Sequence, residues 1–131
     1  MDVVELEGIT KRFGEVIANE NVSLHIAAGE VHSLLGENGA GKTTLMKILF
    51  GLHREDSGLI RVREQEAEIR RPTDAIALGI GMVHQHFMLV PRLTVTENVV
   101  AGSEVVRRGL LDMAEATERV AELAERYHLK V

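Results

Sequence analysis

Val31-His32-Ser33-Leu34-Leu35 runs directly into Gly36-Glu37-Asn38-Gly39-Ala40-Gly41-Lys42-Thr43, and Thr44-Leu45-Met46-Lys47-Ile48-Leu49-Phe50-Gly51-Leu52 follows. The first stretch is a mostly apolar run, the pattern of a strand covered on both faces in a parallel sheet. In the last stretch Leu45, Ile48, Leu49 and Leu52 recur at helical spacing, and Gly51 stands near its end. The order is strand, glycine-rich loop, helix, which predicts an α/β fold. The loop matches G-x-x-x-x-G-K-[ST] at every fixed position. With glycine near 7% of average sequences, fewer than about one chain in a hundred of this length would match by chance.

Each position of the loop has a physical use. Phosphate oxygens need several donors within a small arc, and Gly36, Gly39 and Gly41 let backbone N–H groups approach closely because no Cβ intervenes. The helix beginning near Lys42 adds unpaired N–H groups and the positive end of its dipole. Lys42 is suited to the β and γ phosphates, the Thr43 hydroxyl to Mg²⁺ between them, and Thr44 to the α phosphate. The plainer reading is a glycine-rich turn whose Lys and Thr only start a helix.

Working outward toward the N-terminus, Val3 to Ile9 alternates apolar and acidic residues, a half-buried strand of an outer, solvated sheet. A turn at Arg12-Phe13-Gly14-Glu15 leads to two β-favouring pieces, Val16 to Ala18 and Val22 to Ile26, broken by Asn19 and Asn21. An antiparallel region is expected. His32, inside the apolar run, reads as a satisfied core residue. Toward the C-terminus, Ser57 to Val62 reads as a strand and Glu66 to Ile69 as its partner, in a charged and exposed region. Pro72 and Thr73 open a short helix, Asp74 to Leu78, ended by Gly79, and Ile80 to Val83 reads as a second buried strand. Asp112 with Glu115 is a capping-box pattern. Met113, Ala116, Val120, Leu123 and Tyr127 then form one apolar stripe of a last helix, with Glu115–Arg119 and Glu122–Arg126 on its other face. That polar face is not basic, so ordinary packing is favoured over a membrane-surface role.

Composition narrows the classes. The 131 residues, enough for one domain at most, carry a formal net charge of −5, which provides no basic footprint for nucleic acid or anionic lipid. Hydrophobic residues are 45% of the chain, yet Phe13, Phe50, Phe87 and Tyr127 are its whole aromatic complement, so the core is aliphatic. Without cysteine there is no disulfide, thiolate metal site or Cys nucleophile. The run from Ala75 to Pro91 lacks charge but is too short and polar to span a bilayer, and the N-terminus does not read as a secretory signal. His84 and His86 form H-x-H without an identifiable third ligand.

Three features go beyond the loop. Gly8-Ile9-Thr10-Lys11-Arg12-Phe13-Gly14 resembles the A-loop of ATP-binding cassette (ABC) ATPases, with Phe13 in the place of the aromatic residue that stacks on adenine. The loop filling Glu37-Asn38-Gly39-Ala40 is of the same type. Gly81-Met82-Val83-His84-Gln85-His86-Phe87-Met88-Leu89-Val90-Pro91, followed by Leu93-Thr94-Val95-Thr96-Glu97-Asn98, is similar to the family's Q-loop and its sequel. The wording from His84 to Leu89 is similar to importers of simple sugars and nucleosides, a weaker signal than the family one. Phe13 packing a strand end, and Gln85 as an ordinary loop amide, are the plainer alternatives.

The resemblance implies a P-loop NTPase-like sheet, a partial ABC ATPase core, with an antiparallel β region and the start of the helical subdomain. It implies ATP and Mg²⁺, with Gln85 reaching the metal and the attacking water, and Lys42 and Gln85 as the catalytic contributors present. It implies a soluble subunit on the inner face of the cell membrane. Its partners would be transmembrane permease subunits, met through Phe87 to Asn98, a second nucleotide-binding domain and, indirectly, a solute-binding protein. No L-S-G-G-Q type signature, no second acidic motif (Walker B) and no switch histidine is found, so residues 1–131 are expected to be the N-terminal part of one such domain, binding nucleotide without sustained hydrolysis. A small P-loop kinase or GTPase, and a non-enzymatic nucleotide-binding remnant, remain as alternatives at this stage.

Overall fold

A computed structural model describes residues 1–84 and 89–130. They form two compact units, residues 1–83 and 84–131. In the first, β1 (Asp2–Phe13) and β2 (Val16–Ala27) make an antiparallel hairpin, closed at Gly14-Glu15 where Phe13 pairs with Val16. β3 (Ser57–Val62) joins the other edge of β1, and β4 (Gln65–Glu66) pairs with β3, giving the order β2-β1-β3-β4. The hairpin partner of β3 is therefore two residues long and begins one residue earlier than expected.

A strict two-residue period would not bury both Leu6 and Ile9, which stand three apart, yet both are fully buried. The register shifts between them, at a bulge where Gly8 adopts φ 61°. The extra residue returns Ile9 to the core face. Asn19 and Asn21 do not divide β2; the strand passes through them, with Asn21 absorbing positive φ at another register irregularity.

The core of this unit is a sheet-on-helix layer. Leu6, Ile9, Leu24, Ile60 and Val62 face Leu45, Ile48 and Leu49 of α1 (Lys42–Leu49), with Ile69 and Ala75 closing one side. Helix α1 stops earlier than its periodicity predicts, at Phe50 and a positive-φ Gly51, and Leu52 is exposed. Helix α2 (Pro72–Ala77) follows its start signals: the Asp74 carboxylate accepts from the N–H groups of Arg70 (3.1 Å) and Arg71 (3.0 Å). On the opposite face of the sheet Arg61 pairs with Glu5 and Glu7 across β1 and β3, which keeps that surface solvated.

Two expectations are corrected. Val31 to Leu35 and Ile80 to Val83 are not strands among the described residues, and Val31, Leu35 and Val83 are 93, 91 and 93% exposed. A parallel strand exists only where neighbours supply its hydrogen-bond ladder and its covering layers. The described strands pair only with one another, and always antiparallel. His32 is accordingly no core residue; its Nδ1 lies 2.8 Å from Glu30 Oε1 on the surface.

The second unit holds α3 (Val95–Val100), a minimal hairpin of β5 (Val106–Arg107) and β6 (Leu110–Leu111), and α4 (Met113–Arg126). Asp112 caps α4 by accepting from Glu115 N (3.0 Å). Ala116, Val120 and Ala124 form the buried line of α4, whereas Met113, Leu123 and Tyr127 of the expected stripe are exposed.

Candidate functional site

The glycine-rich loop keeps its predicted setting at the start of α1. Gly41 is the N-cap, at φ 80°, and its carbonyl accepts the first helical bond, from Leu45 N at 2.9 Å. An L-residue rarely adopts that φ, and the space is closed as well: a Cβ on Gly41 would lie 2.1 Å from Ala18 O and 2.7 Å from Asn19 Nδ2. The loop is thus seated against the backbone of β2.

Helix α1 begins with no side-chain cap and no acidic residue in its first turn. Helices usually satisfy these first N–H groups with a Ser, Thr, Asp or Asn oxygen. Here the backbone amides of Lys42, Thr43 and Thr44 donate to no described side chain, which leaves the positive end of the helix free for an anion. The Lys42 ammonium folds back over the loop and donates to Gly36 O (2.6 Å) and Glu37 O (2.8 Å). Ala40 N closes a turn on Glu37 O (3.2 Å), and Asn38 and Gly39 stand exposed at its tip. A mobile cation satisfied only by exposed carbonyls can exchange them for phosphate oxygens at small cost. Thr43 is exposed beside it, with its hydroxyl available to a hydrated divalent cation; that donor chemistry fits Mg²⁺.

Phe13 ends β1 at the hairpin turn and is 44% exposed. The His53 ring meets it edge-on, centroids 5.2 Å apart, and Lys11 Nζ lies 5.5 Å from its centroid. Asp56, which the sequence reading did not single out, orders this corner. Its Oδ1 accepts from Lys11 Nζ and its Oδ2 from Arg12 N, both at 2.7 Å, while its own N–H donates to Thr10 O. The Lys11 bond first, then the Arg12 amide, hold the Asp56 carboxyl below its ordinary range. A group stabilised as its anion contributes above its unfolded-state pKa, and the contribution disappears as pH falls through the lower, folded value. Below about pH 4, the ordinary carboxylate range, the Phe13 corner is therefore expected to loosen progressively. The protection factor of the Arg12 amide, its exchange rate divided into the intrinsic rate at the same pH, compared between pH 6 and pH 3, checks this; Asp56→Asn should show the lowered protection already at pH 6.

Two further determinants had weak signals in the sequence. Asn19 interrupts an otherwise β-favouring strand, and its Nδ2 donates to Gly41 O (3.2 Å). Thr94 with Glu97 is a capping box, read only as part of a loop, and it starts α3. Asn98 then ties the preceding turn through Val90 N (2.8 Å) and the carbonyls of Val90, Leu93 and Thr94. Gln85, Phe87 and the residues between them lie outside the described residues. Of the segment expected to meet a permease, Leu89, Val90, Leu93 and Val95 are exposed apolar side chains.

A glycine-rich loop that wraps a lysine and leads into an uncapped helix defines the class: a P-loop nucleotide-binding protein. The ABC transporter family profile matches residues 19–131, and the chain belongs to that family. The guanosine import ATP-binding protein NupO of Bacillus subtilis is 48% identical over 98% of this chain and 25% of its own length. The nucleoside import ATP-binding protein NupA of Lactococcus lactis is 50% identical over 98% and 26%. The ribose import ATP-binding protein RbsA 1 of Rubrobacter xylanophilus is 46% identical, also over 98% and 26%. The chain spans about a quarter of the length of these relatives. Among solved structures, a nucleotide-free ATP-binding cassette from an ABC transporter superposes with TM-score 0.72 at 27% identity, over 91% of this chain and 46% of the other. A dimeric cassette in a post-hydrolysis state bound to ADP and Pi gives 0.70 at 31% identity, over 97% and 58%. The fold is that of ABC ATPase domains, a mixed α/β P-loop fold.

Proposed function

We propose that residues 1–131 are the N-terminal part of the nucleotide-binding domain of an ABC importer ATPase, one that couples MgATP binding and hydrolysis to uptake of a sugar or nucleoside. The observation that carries this is the uncapped start of α1 under a loop seated on β2, with the Lys42 ammonium already inside it. In this reading Gly36, Glu37, Asn38, Gly39, Ala40 and Gly41 wrap the phosphates with backbone amides. Lys42 carries the β and γ phosphates, Thr44 the α phosphate, and Phe13 stacks on adenine. Thr43 and Gln85 hold Mg²⁺, which when bound screens the phosphate charge and polarises the scissile bond. Positioning and charge complementarity are what these residues contribute, because phosphoryl transfer asks little covalent chemistry of the protein.

No residue of the chain stands as general base, so the 131 residues are expected to bind nucleotide without steady turnover. The remaining motifs would come from elsewhere in the protein, and a second nucleotide-binding domain would complete the site. The segment around Phe87 to Asn98, whose described apolar residues Leu89, Val90, Leu93 and Val95 are exposed, is the surface for the permease, and through it the protein would sit on the inner face of the membrane, with a solute-binding protein as an indirect partner. No described helix is long and apolar enough to cross a bilayer. The import names of the relatives support a sugar or nucleoside as cargo.

Titrating the chain with fluorescent ATP and GTP analogues tests this. ATP is expected to bind more tightly than GTP, and Phe13→Ala to weaken ATP about tenfold, since base–aromatic stacking contributes roughly 1–3 kcal/mol. Clear guanine preference, or steady MgATP hydrolysis by the chain that Lys42→Ala abolishes, would overturn the reading in favour of a self-sufficient kinase or GTPase.

A further inference from the structure

We propose that Asn19 is a positioning residue for the phosphate loop, holding the Gly41–Lys42 peptide so that the Lys42 amide faces the bound phosphates. The assignment rests on the nucleotide-binding reading above and deepens it.

Asn19 lies in β2, is 6% exposed, and its Nδ2 donates to Gly41 O at 3.2 Å. That carbonyl also accepts from Leu45 N at 2.9 Å. In a planar trans peptide the C=O and the following N–H point in opposite directions. Drawing the Gly41 oxygen toward β2 and the helix therefore directs the Lys42 N–H away from both, toward the loop. The helical bond alone would do this only while the first turn stays wound, and first turns fray. A second bond, from a buried side chain of β2, holds the peptide whether or not the turn is tight. The device also leaves the donors of the first turn free. A side-chain N-cap would steady the helix by occupying its N–H groups and would compete with the ligand, whereas Asn19 grips the acceptor end of the peptide.

The other end of the same amide argues that this bond is its purpose. Asn19 Oδ1 is buried and has no hydrogen-bond partner among the described residues. An unmet buried acceptor is costly, and an apolar side chain of equal size would remove that cost. Stability therefore does not explain an amide here, but a donor to Gly41 does. Asn19 also pairs across the hairpin with Lys11, whose ammonium lies over Phe13. One strand position thus ties the phosphate loop to the hairpin that carries Phe13.

Asn19→Leu, which deletes the donor and the orphaned acceptor together, separates positioning from support. Three variants of the chain, Asn19→Leu, Asn19→Asp and Lys42→Ala, are titrated with fluorescent ATP, with ligand-free unfolding midpoints and ¹⁵N spectra recorded alongside. For Asn19→Leu we expect roughly fivefold weaker ATP binding, from loss of one hydrogen bond of about 1 kcal/mol. Its ligand-free midpoint should be at or above the wild-type value, and its Lys42 amide resonance should be displaced and respond less to ATP. Asn19→Asp, which sets a carboxylate against the carbonyl, should bind more weakly still. Asn19→Leu binding within twofold of wild type overturns the proposal alone. So does weaker binding with a lowered midpoint and an undisplaced Lys42 amide. Wild-type chain that fails to bind ATP, or binds it no better than Lys42→Ala, overturns the nucleotide reading and this proposal with it.

Discussion

Gly41→Ala is expected to destabilise the first unit by about 3 kcal/mol or more and to abolish ATP binding. Two independent costs combine. A non-glycine residue in the left-handed region costs roughly 1–2 kcal/mol, and Gly41 sits at φ 80°. Overpacking typically adds about 1–3 kcal/mol, and here the new methyl would lie 2.1 Å from Ala18 O, backbone that cannot rotate away. To relieve the overlap the loop must lift from β2, which displaces Gly41 O from both Asn19 and Leu45 N and so disturbs the start of α1. Because Leu45, Ile48 and Leu49 of that helix are core residues, the damage is not confined to the loop. Urea unfolding of wild type and variant, with ATP titration of whichever fraction remains folded, measures both effects. Gly39→Ala is the comparison: Gly39 shares a positive φ, 89°, but no heavy atom lies within 4 Å of its added Cβ, so its cost should be the conformational one alone.

Lys42→Ala is expected to weaken ATP binding about a hundredfold while leaving the fold intact. Hydrogen bonds to charged groups contribute about 1.5–3 kcal/mol each, and an ammonium between two phosphates makes at least two. The gain is net of the bonds surrendered to Gly36 O and Glu37 O, which water replaces readily on an exposed loop. About 2.8 kcal/mol, two factors of ten in affinity, is what survives this exchange. The ligand-free unfolding midpoint should hardly move, because the two carbonyls return to solvent rather than being buried unpaired. Isothermal titration with ATP and, separately, adenosine discriminates the cause: adenosine binding should be unaffected, since the lost contact is to phosphate.

Contrasting these two substitutions shows where local sequence was a sufficient guide. Lys42 was singled out from pattern alone, and the structure places it where that pattern puts it, at the start of α1 with its ammonium folded over the glycine-rich loop. The same holds for the caps at Asp74 and Asp112, where a side chain reaches its own backbone a few residues on. Gly41 was legible as a loop glycine, but the reason it cannot be replaced lies 22 and 23 residues away, in Asn19 and Ala18. Asn19 itself read as a break in a strand; only its partner across the fold shows it to be a brace. Asp56 was silent for the same reason, since its partners Lys11 and Arg12 lie far back in the chain, on β1.

By itself the sequence determined the glycine-rich loop, the antiparallel hairpin, the starts of α1, α2 and α4 and the ABC resemblance, all of them patterns read within a few consecutive residues. The tertiary structure alone decided which apolar runs become strands. Val31 to Leu35 and Ile80 to Val83 have strand composition, yet they form no strand and leave Val31, Leu35 and Val83 open to solvent, with only Leu34 and Ile80 packed on the core, while Ser57 to Val62, more charged, is a core strand paired along β1. The physical reason is that a strand is completed by its neighbours. Side chains state a preference for a pleated, covered position, but hydrogen bonds from an adjacent strand and a layer packed on the face make that position exist.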